Sequence, residues 1–198
     1  MKKLSILTFL LLSILSFSQT ELPKTATDIS PLLIGELIPN VSVENVDQKE
    51  IAFNEITKGK KTILIVYRGG WCPYCTEHLA AVGQSEAALL KLGYQIIAVS
   101  PDAPANLKET IGKEKLNYTL FSDTKGNLSK ALGVAFTPPA GYDKYLLKGS
   151  NGGNSSFVPV PSIFFINEKN EISFEYINPS YKTRISNEML VAVATTIK

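Results

Sequence analysis

The stretch 63–75 constrains this chain more than any other, because it joins a strand pattern, a glycine turn, a cysteine pair and a helix start. The apolar, β-branched run 62–67 predicts a buried strand. Two glycines end that run, and Pro73 suits the first position of the helix that follows. The sequence therefore predicts Cys72 at the N-cap of a helix and Cys75 one turn further in.

This cysteine pair predicts redox chemistry. Two thiols at a helix start can close a small disulfide ring, and the helix dipole stabilises a thiolate at Cys72. A purely structural bridge is the alternative, yet so short a loop would stabilise the fold very little. A closed zinc site needs four ligands, and the chain has two Cys and one His. Covalent haem needs a histidine directly after Cys75, where Thr76 stands. We therefore expect neither a metal nor an organic cofactor.

His78 follows the cysteine pair on the same predicted helix. One turn below Cys75, its imidazole could shuttle a proton. The alternative, which the sequence favours, is a partly exposed helical histidine without a chemical role.

The first residues have the composition of a secretory signal. Lys2 and Lys3 precede the apolar run 4–15, and small residues stand before a predicted cleavage ahead of Gln19. The run is shorter than the roughly 20 residues of a membrane helix, and no cysteine follows it that could carry a lipid. We therefore expect residues 1–18 to direct export to the periplasm or the exterior, without a stable membrane anchor.

The net positive charge of the chain comes from this predicted signal. The full sequence has 20 Lys+Arg and 18 Asp+Glu, and two of those lysines but no acid fall within residues 1–18. The remaining chain is balanced and has no basic run. It offers no electrostatic footprint for nucleic acid, which excludes that class of partner.

The rest of the chain predicts a flexible leader at 19–30 and one α/β domain at 31–198. A central mixed sheet flanked by helices is indicated because strand and helix patterns alternate before a final hairpin and helix. The predicted strands are 62–67, 94–100, 118–121, 163–166 and 172–177, with an edge strand near 40–46 and an extended or loop segment at 51–56. The predicted helices are 73–92, one within 101–115, 128–132 and 187–197.

The connection 137–160 is rich in Pro, Gly, Ser and Asn and shows no strand or helix pattern. Connections this long are usually functional or disordered. A mobile surface insertion and a loop that gates substrate access both fit this composition.

These patterns resemble the thioredoxin-fold superfamily and, within it, the alkyl hydroperoxide reductase/thiol-specific antioxidant (AhpC/TSA, peroxiredoxin-like) group. The resemblance begins at Gly35 and extends to the last helix. It rests on the opening motif at 35–39, on the Cys-x-x-Cys run 67–75, on 120–133, and on 159–161 followed by strand, turn and strand. It implies a thioredoxin-like fold with an N-terminal extension and an insertion before the proline-led strand.

The resemblance also implies roles for the residues around Pro161. In thioredoxins the corresponding proline is cis, so a cis Val160–Pro161 bond is expected beside Cys72, with the Val160 backbone free to pair with a bound thiol substrate. Trp71 and Tyr74 are expected to shape the apolar surroundings of the cysteines.

Two departures from the peroxiredoxin pattern affect the expected activity. Peroxiredoxins have a threonine where this chain has Gly69, and an arginine where it has Pro161. By the resemblance, those groups hold and polarise the peroxide. Arg68 and Arg184 are the candidate replacement cations, and each is equally a candidate for a surface ion pair.

The sequence thus predicts an exported thiol–disulfide oxidoreductase that cycles a Cys72–Cys75 disulfide with a dithiol or disulfide protein as its partner. Cys72 is the expected nucleophile and Cys75 the resolving thiol. The first alternative is a thiol-dependent peroxidase that reduces hydroperoxides with the same two cysteines. The second is a redox-inert binding module that keeps the fold.

Overall fold

The fold is organised on a seven-stranded mixed sheet in the part of the chain that the computed structural model describes, residues 21–197. The order of its strands is β2-β1-β5-β4-β3-β8-β9, and a separate pair joins β6 to β7. The strands are β1 (Ser42–Glu44), β2 (Glu50–Ala52), β3 (Lys61–Val66), β4 (Tyr94–Ser100), β5 (Thr119–Ser122), β6 (Ala135–Phe136), β7 (Val158–Pro159), β8 (Ser162–Ile166) and β9 (Ile172–Ile177).

Helices cover the sheet and connect its strands. They are α1 (Phe53–Thr57), α2 (Pro73–Lys91), α3 (Pro104–Glu114), α4 (Asn127–Ala131), α5 (Asp143–Gly149) and α6 (Asn187–Thr196). None of the helices between residues 21 and 197 has the length and apolar character needed to cross a bilayer.

Strand β3 lies at the centre of the sheet, parallel to β4 and antiparallel to β8. Its side chains alternate between the two faces: Ile63 and Ile65 pack in one apolar cluster, and Leu64 and Val66 in the other. Both faces of the strand are therefore buried, which explains its continuous apolar sequence. The residues that follow β3 emerge at the edge of the sheet where α2 begins.

The main sequence-predicted elements are present, with differences at two places. The segment predicted as extended or loop at 51–56 is the end of β2 followed by helix α1. Within 135–160 the structure has strand β6, helix α5 and strand β7, none of which was predicted.

The segment at 21–30 lies against the body of the protein and differs in this from the flexible leader expected at 19–30. The carbonyl of Pro23 accepts a hydrogen bond from the Thr137 amide at 2.8 Å. Ala26 and Ile29 pack against an apolar cluster that includes Val160. This packing places the leader on the same apolar cluster as Trp71. The predicted signal at 1–18 lies outside the described residues.

Candidate active site

Cys72 is positioned by the turn between β3 and α2. Cys72 is the N-cap of α2, and its amide donates to the Gly69 carbonyl at 3.1 Å. Gly69 has φ +139°, and a Cβ there would collide with the indole of Trp71 and lie 2.7 Å from Asp102 Oδ1. A threonine therefore does not fit at position 69, which accounts for its absence from this chain.

Arg68 is the cation next to Cys72. Its Nη1 donates to Cys72 Sγ at 3.8 Å, and the whole residue is only 4% exposed. The guanidinium carbon lies 5.0 Å from the ring centre of Trp71, 4.8 Å from that of Tyr142 and 4.2 Å from that of Tyr181. Three aromatic faces thus stabilise a buried charge and fix its direction.

Cys72 is the more acidic of the two thiols. A hydrogen bond from the Cys75 thiol is the largest cause that lowers the pKa of Cys72 to about 6, and the positive charges of Arg68 and Arg184 add to it. Burial opposes these effects but does not cancel them. Cys72 is therefore largely a thiolate at neutral pH, the form that acts as a nucleophile.

Cys75 has the opposite character. Burial is the main cause that raises its pKa well above the usual value, and the neighbouring Cys72 thiolate raises it further. Nη2 of Arg184 lies 3.4 Å from Cys75 Sγ and lowers this pKa in part. The order of acidity matches the sequence-based expectation. Both cysteines are almost fully buried, at 2% and 1% exposed.

Each cysteine therefore has its own arginine. Arg184 is held in place by its Nη1, which donates to the carbonyls of Tyr181 at 2.5 Å and Thr183 at 2.8 Å. The two candidate cations named from the sequence both lie at the cysteine pair, on different sulphurs. This arrangement can stabilise negative charge at either sulphur in turn.

Trp71 and Tyr74 lie on either side of the cysteine turn. Trp71 stacks on Tyr145 with 5.4 Å between ring centres and meets Tyr142 edge-on at 5.9 Å. Tyr74 is 38% exposed and meets Tyr181 edge-on at 5.8 Å. Tyr142 and Tyr145 belong to the segment 137–160, which therefore covers the site.

The expectation of a cis proline is wrong. The described chain has no cis peptide bond, so Val160–Pro161 is trans. The Val160 amide donates to the Val134 carbonyl at 2.9 Å, and the Val160 carbonyl accepts from Ser162 Oγ at 2.8 Å. The backbone that was expected to pair with a thiol substrate is thus already paired within the protein.

Pro161 nevertheless lies close to the site, since it lines two cavities there. One has a volume of about 340 Å³ and also contacts Arg68, Tyr142, Tyr181 and Val160. Its other walls are largely apolar and are contributed by Lys24, Thr25, Ala26, Phe136, Pro139, Pro159 and Pro179. We call it the apolar cavity. The second cavity has a volume of about 10 Å³, roughly one water, and contacts Tyr67, His78 and Arg184.

A second large opening lies on the side of Cys75. It has a volume of about 370 Å³ and runs between α2 and the segment before and at the start of α6. We call it the polar groove; its walls include Tyr74, Glu77, His78, Lys182, Arg184 and Glu188.

His78 is buried, contrary to the partly exposed position favoured from the sequence. It is 8% exposed, and its Nε2 has no hydrogen-bond partner among the described residues. Burial lowers the pKa of His78 to about 4, and the charge of Arg184 acts in the same direction. The imidazole is therefore neutral at physiological pH.

Asp102 is the main site residue that was not predicted. It follows β4, and its Oδ2 accepts a hydrogen bond from the Gly70 amide at 2.6 Å. Burial raises its pKa to about 6 in spite of hydrogen bonds with Gly70 and Ser100. A signal existed: Asp102 leaves the strand next to β3 at the edge where α2 begins, and parallel neighbours end at the same edge.

The described residues contain no group of three or more His, Cys, Asp or Glu side chains that could hold a metal ion. The site as described consists of two thiols, two arginines and a set of aromatic rings. That donor set suits chemistry in which a thiolate attacks a small molecule.

Comparison with known proteins gives a consistent result. The family model described as AhpC/TSA matches residues 34–175. A putative peroxiredoxin Bcp of Haemophilus influenzae is 31% identical over 106 residues, which cover 54% of this chain and 68% of that protein. The peroxiredoxin Bcp of Escherichia coli K12 is 26% identical over the same length and is covered to 67%.

Solved structures agree on the fold. Reduced Prx3 of Vibrio vulnificus in complex with hydrogen peroxide superimposes with a TM-score of 0.72 at 17% identity, covering 83% of this chain and 97% of that one. A mutant of peroxiredoxin 6 of Arenicola marina gives 0.69 at 18% identity, covering 83% and 73%. These neighbours and the mixed sheet flanked by helices confirm the predicted thioredoxin-like α/β fold.

Proposed function

The chain belongs to the AhpC/TSA family of oxidoreductases, and on that premise we propose that it is a thiol-dependent peroxidase that reduces hydroperoxides. Cys72 is the peroxidatic cysteine and Cys75 the resolving one. The sequence alone predicted disulfide exchange and left peroxide reduction as an alternative. The family relationship favours peroxide reduction.

The contact between Arg68 and Cys72 carries the proposal. Cleavage of a peroxide needs a thiolate and a fixed donor that stabilises the departing oxygen. Arg68 is buried, oriented by three aromatic rings and 3.8 Å from the sulphur. It supplies a positive charge beside Cys72 in a chain that has a proline at position 161, where the resemblance leads one to expect an arginine.

Burial of the cysteines also argues against a large substrate. A protein disulfide must bring its own sulphur into line with the attacking thiolate. Cys72 is 2% exposed, and the Val160 backbone is already paired. A hydroperoxide is small enough to enter the apolar cavity, which Arg68 lines next to Cys72.

In the first step, the Cys72 thiolate attacks the terminal oxygen of ROOH. A sulphur–oxygen bond forms, the oxygen–oxygen bond breaks, and RO⁻ leaves and takes a proton from water. Cys72 becomes a sulfenic acid, oxidised by two electrons, and the peroxide becomes an alcohol or water. Arg68 stabilises the charge that moves from sulphur to the departing oxygen.

In the second step, Cys75 attacks Cys72 sulphur. The Cys75 thiol gives up its proton, a disulfide forms, and hydroxide leaves from the sulfenic acid and is released as water after taking up a proton. Arg184 stabilises the Cys75 thiolate that this step requires, because it lies 3.4 Å from that sulphur. Two external thiols then restore the dithiol.

The test is rapid-mixing oxidation of the reduced protein by hydrogen peroxide, followed through Trp71, the only tryptophan in the chain. We expect fast oxidation in the wild type, none in Cys72→Ser, and a trapped sulfenic acid in Cys75→Ser, identified by dimedone labelling. A parallel reaction with a model disulfide sets the scale. Disulfide exchange that outruns peroxide reduction would overturn the proposal.

We also propose that the protein acts in the periplasm or outside the cell, on the strength of the signal-like residues 1–18. N-terminal sequencing of the protein from a fractionated host tests this. We expect a chain that begins at Gln19 in the exported fraction, and an uncut cytoplasmic chain would contradict it.

A further inference from the structure

The arginines that contact the two sulphurs line two different openings. Arg68, the cation at Cys72, lines the apolar cavity, and Arg184, the cation at Cys75, lines the polar groove. Neither arginine lines the other's opening. An oxidant and a reductant can therefore approach the same cysteine pair from separate sides.

The sulphur that a reductant attacks is decided by which thiolate leaves more easily. In thiol–disulfide exchange the better leaving group is the sulphur with the more stable thiolate. Arg68 is fixed beside Cys72 and is in place to stabilise that thiolate as it departs. The incoming thiol therefore attacks Cys75, the sulphur in contact with Arg184, which lines the polar groove.

The walls of the polar groove bear charges of both signs. Lys182 and Arg184 are positive, and the ten-residue helix α6 begins at the groove, so its N-terminus also favours an anion. Glu77 and Glu188 are negative. A small molecule with a carboxylate and an ammonium group is complementary to this set.

His78 gives an independent indication that the groove takes a ligand. Its side chain lines the groove, and the residue is only 8% exposed. Its Nε2 has no hydrogen-bond partner among the described residues. A buried polar atom without a partner is costly, and ordered water or a bound ligand usually satisfies it. His78 lines the cavity of about 10 Å³ as well as the groove. A ligand carboxyl or amino group can supply that partner.

From these observations we infer that the polar groove binds the reductant, a small thiol of amino-acid type that carries a carboxylate and an ammonium group and attacks Cys75. The inference rests on the proposed function, since it concerns the return half of the same cycle. A volume of about 370 Å³ accommodates a molecule of this size. Cys75 is 1% exposed, so a small thiol that displaces Arg184 reaches it more readily than a protein surface does.

The chemical steps balance as follows. The thiolate RS⁻ attacks Cys75 sulphur, a Cys75–S–S–R bond forms, the Cys72–Cys75 bond breaks, and Cys72 leaves as a thiolate. A second RS⁻ attacks the sulphur of R, which gives RSSR and the Cys75 thiolate, and that thiolate takes a proton from water. Two thiols are oxidised and one protein disulfide is reduced.

The first experiment maps the attacked sulphur. Wild-type protein, oxidised to the disulfide, is mixed with cysteine, quenched with iodoacetamide within milliseconds and digested for mass spectrometry. We expect the cysteine adduct on Cys75 and the carbamidomethyl group on Cys72. An adduct on Cys72 overturns the inference, while the oxidation rate with hydrogen peroxide, measured separately, tests the proposed function alone.

The second experiment tests the class of thiol. Reduction rates are compared for cysteine, 3-mercaptopropionate, cysteamine and 2-mercaptoethanol, each corrected for its thiolate concentration. We expect cysteine to react fastest, and Lys182→Glu to slow the two carboxylate thiols by about fivefold relative to 2-mercaptoethanol, the size of one partly exposed ion pair. Lys148→Glu is the control, because Lys148 is exposed on the opposite side, near Trp71 and Tyr145.

His78→Gln adds a readout that the charge change does not give. It is expected to raise the half-saturating concentration of cysteine more than that of 2-mercaptoethanol. Equal rates for the four thiols, equal effects of Lys182→Glu and Lys148→Glu, or faster reduction by a thioredoxin-type dithiol protein that is insensitive to Lys182 would each overturn the inference.

Discussion

Nη1 of Arg68 lies 3.8 Å from Cys72 Sγ while the aromatic rings of Trp71, Tyr142 and Tyr181 surround its guanidinium. This arginine stands four residues before Cys72, in the same turn between β3 and α2. Its charge is therefore brought to the sulphur by local backbone geometry, and its orientation is fixed by rings from two other segments of the chain.

Replacing Arg68 tests the peroxide-activating role directly. Arg68→Met is expected to lower the second-order rate constant for hydrogen peroxide by about 10²–10³ at pH 7, the usual effect of losing one oriented donor. The measurement is competition with a second peroxidase for limiting peroxide, which does not depend on the fluorescence of Trp71. Arg184→Met is the matched control, because its guanidinium contacts Cys75 instead.

The pH dependence of the first step follows from the acidity of Cys72. Because the thiolate is the reactive form and the pKa of Cys72 is lowered to about 6, the rate is expected to be constant above pH 7. Below pH 6 it should fall about tenfold per unit as the sulphur is protonated. Stopped-flow oxidation between pH 4.5 and 8.5 measures this. An inflection near pH 9 would show an ordinary thiol.

Much of this arrangement could be predicted from the sequence because it is local. The strand, the glycine turn and the helix start at 62–75 depend on apolar runs, Gly and Pro, so the positions of Cys72 and Cys75 follow. The sheet could be anticipated for the same reason, since its strands are apolar and β-branched.

The rest depends on contacts between residues far apart in the chain. Arg184 reaches Cys75 across 109 positions, and no local pattern marks such a contact. Helix α5 has only seven residues in a Gly-rich and Pro-rich segment, and it forms there because Leu146 is buried and Tyr145 stacks on Trp71. His78 is buried through the approach of the segment around Ile185. Tertiary packing decided each of these, and propensity did not.

Arg184 is expected to act in the resolving step. Arg184→Met removes the charge that stabilises the Cys75 thiolate, so the sulfenic acid on Cys72 should persist longer. Dimedone trapping after one equivalent of hydrogen peroxide should give several times more adduct than in the wild type. If the variant instead slows the initial oxidation and leaves trapping unchanged, Arg184 serves Cys72 and the assignment is wrong.

Any side chain at position 69 is expected to destabilise the protein. Gly69→Ala should destabilise the protein by about 2–4 kcal/mol, because a Cβ at φ +139° meets the Trp71 indole and the Asp102 carboxylate. Gly93→Ala is the control: it also has positive φ but has nothing within 4 Å of the added atom, so about 1 kcal/mol is expected. Urea denaturation of the reduced proteins compares the two. Equal losses would mean that backbone strain alone acts at Gly69.

The last prediction concerns Asp102, whose carboxylate lies between the cysteine turn and helix α5. Oδ2 accepts a hydrogen bond from the Gly70 amide at 2.6 Å. Oδ1 is so close to Gly69 and Gly149 that a Cβ added at either glycine would collide with it. Asp102→Asn keeps the shape but replaces one acceptor oxygen with an NH₂ group. If that group faces the Gly70 amide, two donors meet and the turn shifts. We expect slower peroxide oxidation, by about tenfold, together with a displaced pKa of Cys72.

Asp123→Asn is the matched control, since Asp123 is equally buried and also accepts from backbone amides, those of Leu128 and Ser129. It should cost stability without changing the rate of oxidation. The pH dependence of unfolding is a second readout for Asp102, although burial raises the pKa of Asp123 as well. Burial raises the pKa of Asp102 to about 6, so between roughly pH 4 and 6 the folded state binds more protons than the unfolded state, and stability falls as pH rises through that window. Asp102→Asn should lose this slope. If it keeps the slope and the wild-type oxidation rate, Asp102 does not hold the turn.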